Sequence, residues 1–347
     1  MNGILAKQRL DKARSLADPC RLCPRRCGAR RLHGQTGRCG AGSGADLFLE
    51  YVHWGEDADI VPAQTLYLTG CNMSCVFCQT GEEQRRLAAS RLTPALFGDI
   101  LARGRRAGAR TVNILGGEPT VNLPALLELF ASVGDFPGLV WNTNLYGSAE
   151  AFEILDGIAD IYMADLKFGH HDCGLRLAGA GDAAEVARAR AREIFARTPE
   201  ALIARHLVMP GHFDCCTRPV LEWIAQNLPG VRVSLKTVYL PPPAMPDSCP
   251  EKCFLTRTEA ETARKLAESL GLRLTRDAAR PEPGAAAATE AGPGDSQVPL
   301  DIVITPDGRV YMRHIVREAA EILRDLDSAP AAGQAGEDME KETAEHE

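Results

Sequence analysis

Cys71-Asn72-Met73-Ser74-Cys75-Val76-Phe77-Cys78 follows a β-rich run, Thr65–Thr69, and Gly70, and brings three thiols within eight residues. A tetrahedral structural zinc takes four protein ligands, and this loop offers three. Cubane iron–sulfur clusters are held by four cysteines, one per iron, so three leave one iron open to a substrate. A zinc site completed by a distant residue and three unrelated thiols are the competing readings. The C-x3-C-x2-C spacing at the end of a strand favours the cluster.

Outward from this loop the chain repeats one pattern. Six strands are predicted, at Thr65–Thr69, Thr111–Leu115, Gly138–Thr143, Asp160–Asp165, Leu202–Met209 and Arg232–Tyr239. Between them lie helical patterns at Pro94–Ala107, Pro124–Val133, Ala149–Ile158, Ala183–Ala196 and Arg218–Asn227, with apolar residues recurring at three and four. Alternating βα units imply a parallel sheet. A further helix is expected at Thr256–Leu270, opened by the cap-like Thr256 and closed by Gly271. Leu300–Ile304, the turn Thr305-Pro306-Asp307-Gly308 and Arg309–Arg313 read as a β-hairpin, with a closing helix at Ile315–Leu326.

The 347 residues are 45% hydrophobic, enough to bury a full core, which excludes wholesale disorder. No run approaches the roughly 18 consecutive apolar residues of a membrane span. Met1–Leu10 also lacks the apolar core of a secretory signal, so a cytoplasmic protein is expected, with no membrane role. In a reducing compartment the 12 cysteines bind metal or do redox chemistry more often than they form disulfides.

With Phe77 ahead of its last cysteine, the triad resembles the radical S-adenosylmethionine (SAM) superfamily, whose signature is C-x3-C-x-aromatic-C. The resemblance implies a 4Fe–4S cluster on Cys71, Cys75 and Cys78, SAM as cofactor, and cleavage of SAM to a 5′-deoxyadenosyl radical that abstracts hydrogen. It implies an α/β fold, a partial (β/α)6 TIM-like barrel. Gly116-Gly117-Glu118-Pro119 after the second strand resembles the family's motif for the methionyl amino group; glycines let backbone approach a ligand closely, and Glu118 can accept from an ammonium.

Later strand ends narrow the likeness to the activating enzyme of pyruvate formate-lyase. Asn142-Thr143-Asn144 and Asp165-Leu166-Lys167 match that branch's Asp-Thr-Asn-Gly and Asp-Leu-Lys stretches near SAM and a monovalent cation, with Asn142 replacing an Asp. Thr143, Met163 and Asp165 remain candidate cation ligands. Arg205 fits an Arg that lies near SAM in the branch, with the SAM carboxylate a candidate partner. Tyr239-Leu240-Pro241 departs from the branch, which carries a His at that strand. Cys20-x2-Cys23-Pro24-Arg25-Arg26-Cys27-x11-Cys39 and Asp307-Gly308-Arg309-Val310-Tyr311 resemble an uncharacterised group of activating enzyme-like proteins. An electron donor such as flavodoxin or ferredoxin follows from the chemistry, and a glycyl-radical enzyme is the partner implied by the branch. A small molecule, a peptide or RNA as radical acceptor is the alternative. A non-catalytic metal-binding scaffold is the alternative from another class.

The expected organisation is a Cys-rich N-terminal extension (1–60), the barrel (61–277), a flexible Ala/Pro/Gly insertion (278–299), the hairpin and helix (300–328) and a disordered acidic tail (329–347). Cys20, Cys23, Cys27 and Cys39 suffice to close a zinc knot, with a second iron–sulfur cluster and free thiols as the alternatives. Residues 1–45 carry ten Lys/Arg against two Asp and no aromatic residue, so a solvated or carrier-docking surface built on Arg25, Arg26, Arg30 and Arg31 fits better than nucleic-acid binding. Cys215, Cys216, Cys249 and Cys253 read as structural thiols. Adjacent Cys215 and Cys216 are poorly placed to share an ion, and Cys249-x3-Cys253 alone does not specify one. Cys173 is the thiol to test as a hydrogen-atom donor. His206 and His212 read as ordinary structural or surface residues.

Overall fold

Period-two alternation along each strand puts successive side chains on opposite faces of a sheet, and the faces here have different jobs. The computed structural model describes residues 2–134, 136, 138–276, 302–304 and 310–312. In chain order the helices are α1 (Asn2–Ala17), α2 (Glu83–Arg86), α3 (Pro94–Arg106), α4 (Leu123–Val133), α5 (Ala149–Leu155), α6 (His171–Ala178), α7 (Ala183–Arg197), α8 (Arg218–Asn227) and α9 (Arg257–Ser269). The strands are β1 (Asp46–His53), β2 (Ala63–Leu68), β3 (Ser90–Arg91), β4 (Thr111–Gly116), β5 (Leu139–Thr143), β6 (Ile161–Asp165), β7 (Leu202–Leu207), β8 (Arg232–Lys236), β9 (Arg273–Leu274), β10 (Ile302–Ile304) and β11 (Val310–Met312).

The main sheet runs β3-β1-β2-β4-β5-β6-β7-β8-β9. From β2 to β9 every neighbour is parallel, giving the α/β partial barrel its wall, while β1 and β3 add an antiparallel edge. On the outer face Leu66, Ile114, Trp141, Tyr162 and Ala204 pack with the helices in one core. A ring cluster of Phe97, Phe130 and Phe136, with centroids 5.2–5.8 Å apart, fills the space between α3 and α4. On the inner face Ala63, Val140, Met163 and Ile203 close the floor with Ile60 and Val61. The next inner residue on β5, β6 and β7 is polar: Asn142, Asp165 and Arg205. The fold thus sets an apolar plug beneath a charged layer.

Sequence patterning misses α1, α6 and β1, and the short α2, β3 and β9. Helix α1 buries chiefly Ala6, Ala13, Leu16 and Ala17, a small-residue stripe with little hydrophobic contrast, so periodicity does not single it out. It runs from the floor, where Gly3 abuts the Gly134 backbone, to the rim, where Leu22 O accepts from Ser148 N. The expected β7 and β8 end two and three residues early, short of Pro210 and Pro241. Thr256 caps α9 with Glu259 in a capping box, as its sequence implies. The paired strands of the predicted hairpin are β10 and β11. Its turn, the closing helix, the insertion and the acidic tail lie outside the described residues. Among the described residues no helix is long and apolar enough to cross a membrane.

Asp57 clamps the far side of the barrel. Fully buried, it accepts from Ser234 Oγ at 2.9 Å and from Thr275 Oγ1, and pairs with Lys236 Nζ at 3.2 Å. Burial pushes its carboxyl up, but the Lys236 charge and these hydrogen bonds outweigh it and hold the group below the usual range. A depressed carboxyl stabilises the fold above its unfolded pKa, about 4, and loses that contribution as pH falls through the folded value. Asp57→Ala should therefore cost about 3 kcal/mol near neutrality. Chemical denaturation should show the gap from wild type closing as the pH is lowered below about 4.

Candidate active site

Strand β2 ends at Leu68, and the chain turns through Gly70, at φ 85°, into the triad loop. Three segments hold this loop by its backbone. Cys71 N donates to Cys39 O of the N-terminal segment at 3.0 Å, and Arg25 Nε donates to Asn72 O at 2.6 Å. From the other side, Ser74 N and Val76 N donate to Ala178 O and Leu177 O at the end of α6. Phe77 is buried edge-on against Phe168, with centroids 6.2 Å apart. Burial pushes the Cys71 thiol well up and that of Cys75 up to about 11, the second against the pull of Lys167. These thiols need a cation to give up their protons, as a metal would supply.

Gly116 and Gly117 lie beside the triad loop for a reason of backbone geometry. A Cβ on Gly117 would sit 1.8 Å from Gly70 O, and one on Gly116 2.3 Å from Leu68 N. The closeness lets Gly117 N donate to Leu68 O at 2.7 Å and Glu118 N to Gly70 O at 2.8 Å. Pro119 then opens a short 3-10 helix, Pro119–Asn122. The Glu118 carboxylate accepts from Thr120 N, Thr143 Oγ1 and Asn144 N at 2.8–3.0 Å. Three of its roughly four acceptor directions are thus filled from within. Burial pushes its carboxyl up in spite of these donors.

At the ends of β5, β6 and β7 one polar chain crosses the inner face. Asp165 and Arg205 are register partners. Arg205 Nε donates to Asp165 Oδ1 at 2.5 Å and Nη2 to Asn142 Oδ1 at 2.6 Å, and Glu56 lies 3.8 Å from Nη1. Lys167 Nζ donates to the other Asp165 oxygen at 2.5 Å. Burial would raise the Asp165 carboxyl, but Arg205 and Lys167 win and hold it at about 2. Because Asn142 Oδ1 accepts from Arg205, its Nδ2 is left as a donor, and this buried atom has no hydrogen-bond partner. Asn144, absent from the sequence-derived candidates, joins this corner to the triad, with Nδ2 2.9 Å from Asn72 Oδ1 and 3.9 Å from Cys71 Sγ.

Cys20, Cys23, Cys27 and Cys39 line one cavity together with Arg31 and Asn72, directly behind the triad loop. Arg31 is buried, donating to Gly42 O and Val121 O, which removes it from any docking surface. Arg30 is exposed and pairs with Asp18 at 3.2 Å, and Arg26 is exposed. His206 is an internal strut between Leu166 O and Thr217 Oγ1. His212, by contrast, does not behave as an ordinary histidine. It stands against Cys173, Cys215 and Cys216, and the four ligand atoms lie within 4.8 Å of one another. Adjacent cysteines were judged poorly placed to share an ion, but both face His212 rather than each other. At i+3 and i+4 from it they occupy one helical face. That H-x2-C-C spacing was the available signal. Cys249 bonds Glu251 instead of pairing with the exposed Cys253.

Residues 65–224 match the model of the radical SAM superfamily. The uncharacterized protein MJ0674 of Methanocaldococcus jannaschii is 30% identical over 276 residues, covering 78% of this chain and 80% of its own. Among solved structures, a radical SAM methyltransferase from Sphaerobacter thermophilus aligns with a TM-score of 0.45 at 16% identity, over 62% of this chain and 66% of its own. SuiB of Streptococcus suis, bound to the precursor peptide SuiA, aligns at 0.42 and 14%, over 59% of this chain and 46% of its own. On the family match and the archaeal relative, this chain belongs to the radical SAM superfamily.

Proposed function

We propose that Cys71, Cys75 and Cys78 hold the 4Fe–4S cluster of this radical SAM enzyme, and that the hydrogen it removes comes from a glycyl residue of a partner protein. The observation that supports the site is the meeting of the triad loop with the charged ends of β5, β6 and β7 on one rim. Three thiols in one loop suit a cubane with an open iron. The unpartnered Asn142 Nδ2 and the tight Gly117–Gly70 contact suit a ligand lying across the same rim.

When bound, the cluster supplies one electron that splits SAM into methionine and a 5′-deoxyadenosyl radical. The chain's own groups position the cofactor and shelter it. Asp165 and Arg205 fix Lys167 and Asn142 in place, leaving the buried Asn142 Nδ2 as an unused donor at the strand ends. Arg205 and Lys167, both paired with Asp165, are the cations at hand for the SAM carboxylate. Phe77, Phe168 and Met73 wall the triad with apolar surface and exclude water. The glycyl partner rests on the likeness of Asn142-Thr143-Asn144 and Asp165-Leu166-Lys167 to the activating enzymes. An exposed basic surface with Arg26 and Arg30 is the proposed dock for an acidic carrier such as flavodoxin or ferredoxin. Cys20, Cys23, Cys27 and Cys39 are proposed to close a further metal centre, zinc or iron–sulfur.

Anaerobically reconstituted chain should release 5′-deoxyadenosine from SAM when reduced, and Cys75→Ala should abolish release; unchanged release would overturn the assignment. Gly117→Ala should lower stability by about 1–3 kcal/mol, because backbone cannot yield to its Cβ, and should reduce iron retention at the triad. With an α-deuterated glycyl partner, deuterium should appear in 5′-deoxyadenosine. Transfer from a labelled metabolite or peptide instead would replace the partner reading. Arg26→Gln with Arg30→Gln should slow reduction by the carrier and leave dithionite reduction intact. Iron remaining after all three triad cysteines are changed to Ala would mark the N-terminal centre as iron–sulfur, and a zinc equivalent lost on Cys27→Ser would mark it as zinc.

A further inference from the structure

A second group of ligands sits on the same rim but outside the triad. His212 Nδ1 lies 3.1 Å from Cys215 Sγ, 3.7 Å from Cys216 Sγ and 3.8 Å from Cys173 Sγ. Zinc bonds of about 2.3 Å to sulfur and 2.0–2.1 Å to nitrogen, at tetrahedral angles, place N and S about 3.6 Å apart. The three observed distances bracket that value. Cys215 and Cys216 are brought round by a π-helical turn, Phe213–Thr217, in which Cys216 N and Thr217 N both donate to His212 O. Such turns are rare and concentrate at functional sites.

The surroundings of His212 carry the second half of the argument. Its Nε2 lies 2.8 Å from Oε1 of the buried Glu251 and 3.1 Å from Arg176 Nη2; with the shorter contact made by Nε2–H donating to Glu251, the Nδ1 lone pair is left facing the three sulfurs. Glu251 is itself held by Arg176 and by Cys249 Sγ at 2.9 Å. A carboxylate behind the distal nitrogen, fixing tautomer and ring, is the usual support of a metal-bound histidine.

We propose that Cys173, His212, Cys215 and Cys216 bind one zinc ion, separate from the cluster of the proposed function. Binding releases three thiol protons and leaves a site of charge −1, which Arg188 faces from α7 and Arg176 offsets through Glu251. Three soft thiolates and one imidazole suit zinc, and four protein ligands leave no open position, so the site is structural. It ties α6 to the turn after β7, and α6 is the element whose Leu177 and Ala178 carbonyls hold the triad loop. A metal-bound Cys173 has no S–H to give, which removes it as a hydrogen-atom donor.

The test is the zinc content of the full-length chain, purified anaerobically from zinc-supplemented cells. Cys216→Ser and His212→Ala should each lose one zinc equivalent per chain; unchanged zinc in both would overturn the proposal. Should either variant fail to fold, the unmodified chain decides. Iodoacetamide labelling mapped by peptide mass spectrometry should find the part-exposed Cys215 protected until a zinc chelator is added, with the exposed Cys253 labelled throughout. Equal labelling of Cys215 before and after chelation would overturn it. Neither readout depends on SAM cleavage, so failure here is distinguishable from failure of the radical assignment.

Discussion

A carboxylate ionised inside a barrel is tolerated only if opposite charge and hydrogen bonds replace the water it has lost. Asp165 meets that condition with one cation from the next strand and one from two residues along its own chain. Arg205, drawn in by Asp165, has a fork long enough to reach Asn142 two strands away, so β5, β6 and β7 share one electrostatic unit. No member can be removed without stranding another, since breaking such a buried pair costs about 3–5 kcal/mol. The network sits directly above the apolar plug of Val140, Met163 and Ile203. The rim is therefore rigid before any cofactor arrives, which is what preorganised chemistry requires.

Much of this was legible from residues alone. The triad's spacing and the repeated βα pattern led to a parallel α/β barrel, and the helices whose faces combine large apolar with charged residues, such as α3 and α8, were located closely. What escaped has definite physical causes. Helix α1 packs through alanines, whose small side chains give weak periodicity. Helix α6 contains Gly174, and its neighbours Asp172 and His171 look like loop residues. Glycine-rich Gly116-Gly117 was read as room for a ligand, but its first duty is contact with the backbone of Leu68 and Gly70. No local pattern reports that contact, because the partners are far apart in sequence. Glu118 and Arg205, expected beside SAM, also make bonds within the fold that no local pattern reports.

Histidine 212 shows the same limit from another direction. Its cysteine neighbours at i+3 and i+4 were visible, but Cys173 and Glu251 come from 39 residues before and after it. A group assembled from separate segments becomes readable only once β6, β7 and β8 fix where those segments start. The N-terminal segment is tied to the site just as non-locally. Cys39 bonds the triad loop, while Arg31 reaches Gly42 and Val121 from a buried position. Detaching that segment would take the Val121 acceptor from the buried Arg31 guanidinium and expose the triad's back wall.

Helix α1 travels the full height of the barrel, beginning beside Gly134 and handing the chain over near Ser148. An affinity handle or fluorescent protein fused ahead of it would hang from the opposite pole to the chemistry. Immobilising the enzyme through that handle would orient its mouth outward, leaving the rim unobstructed.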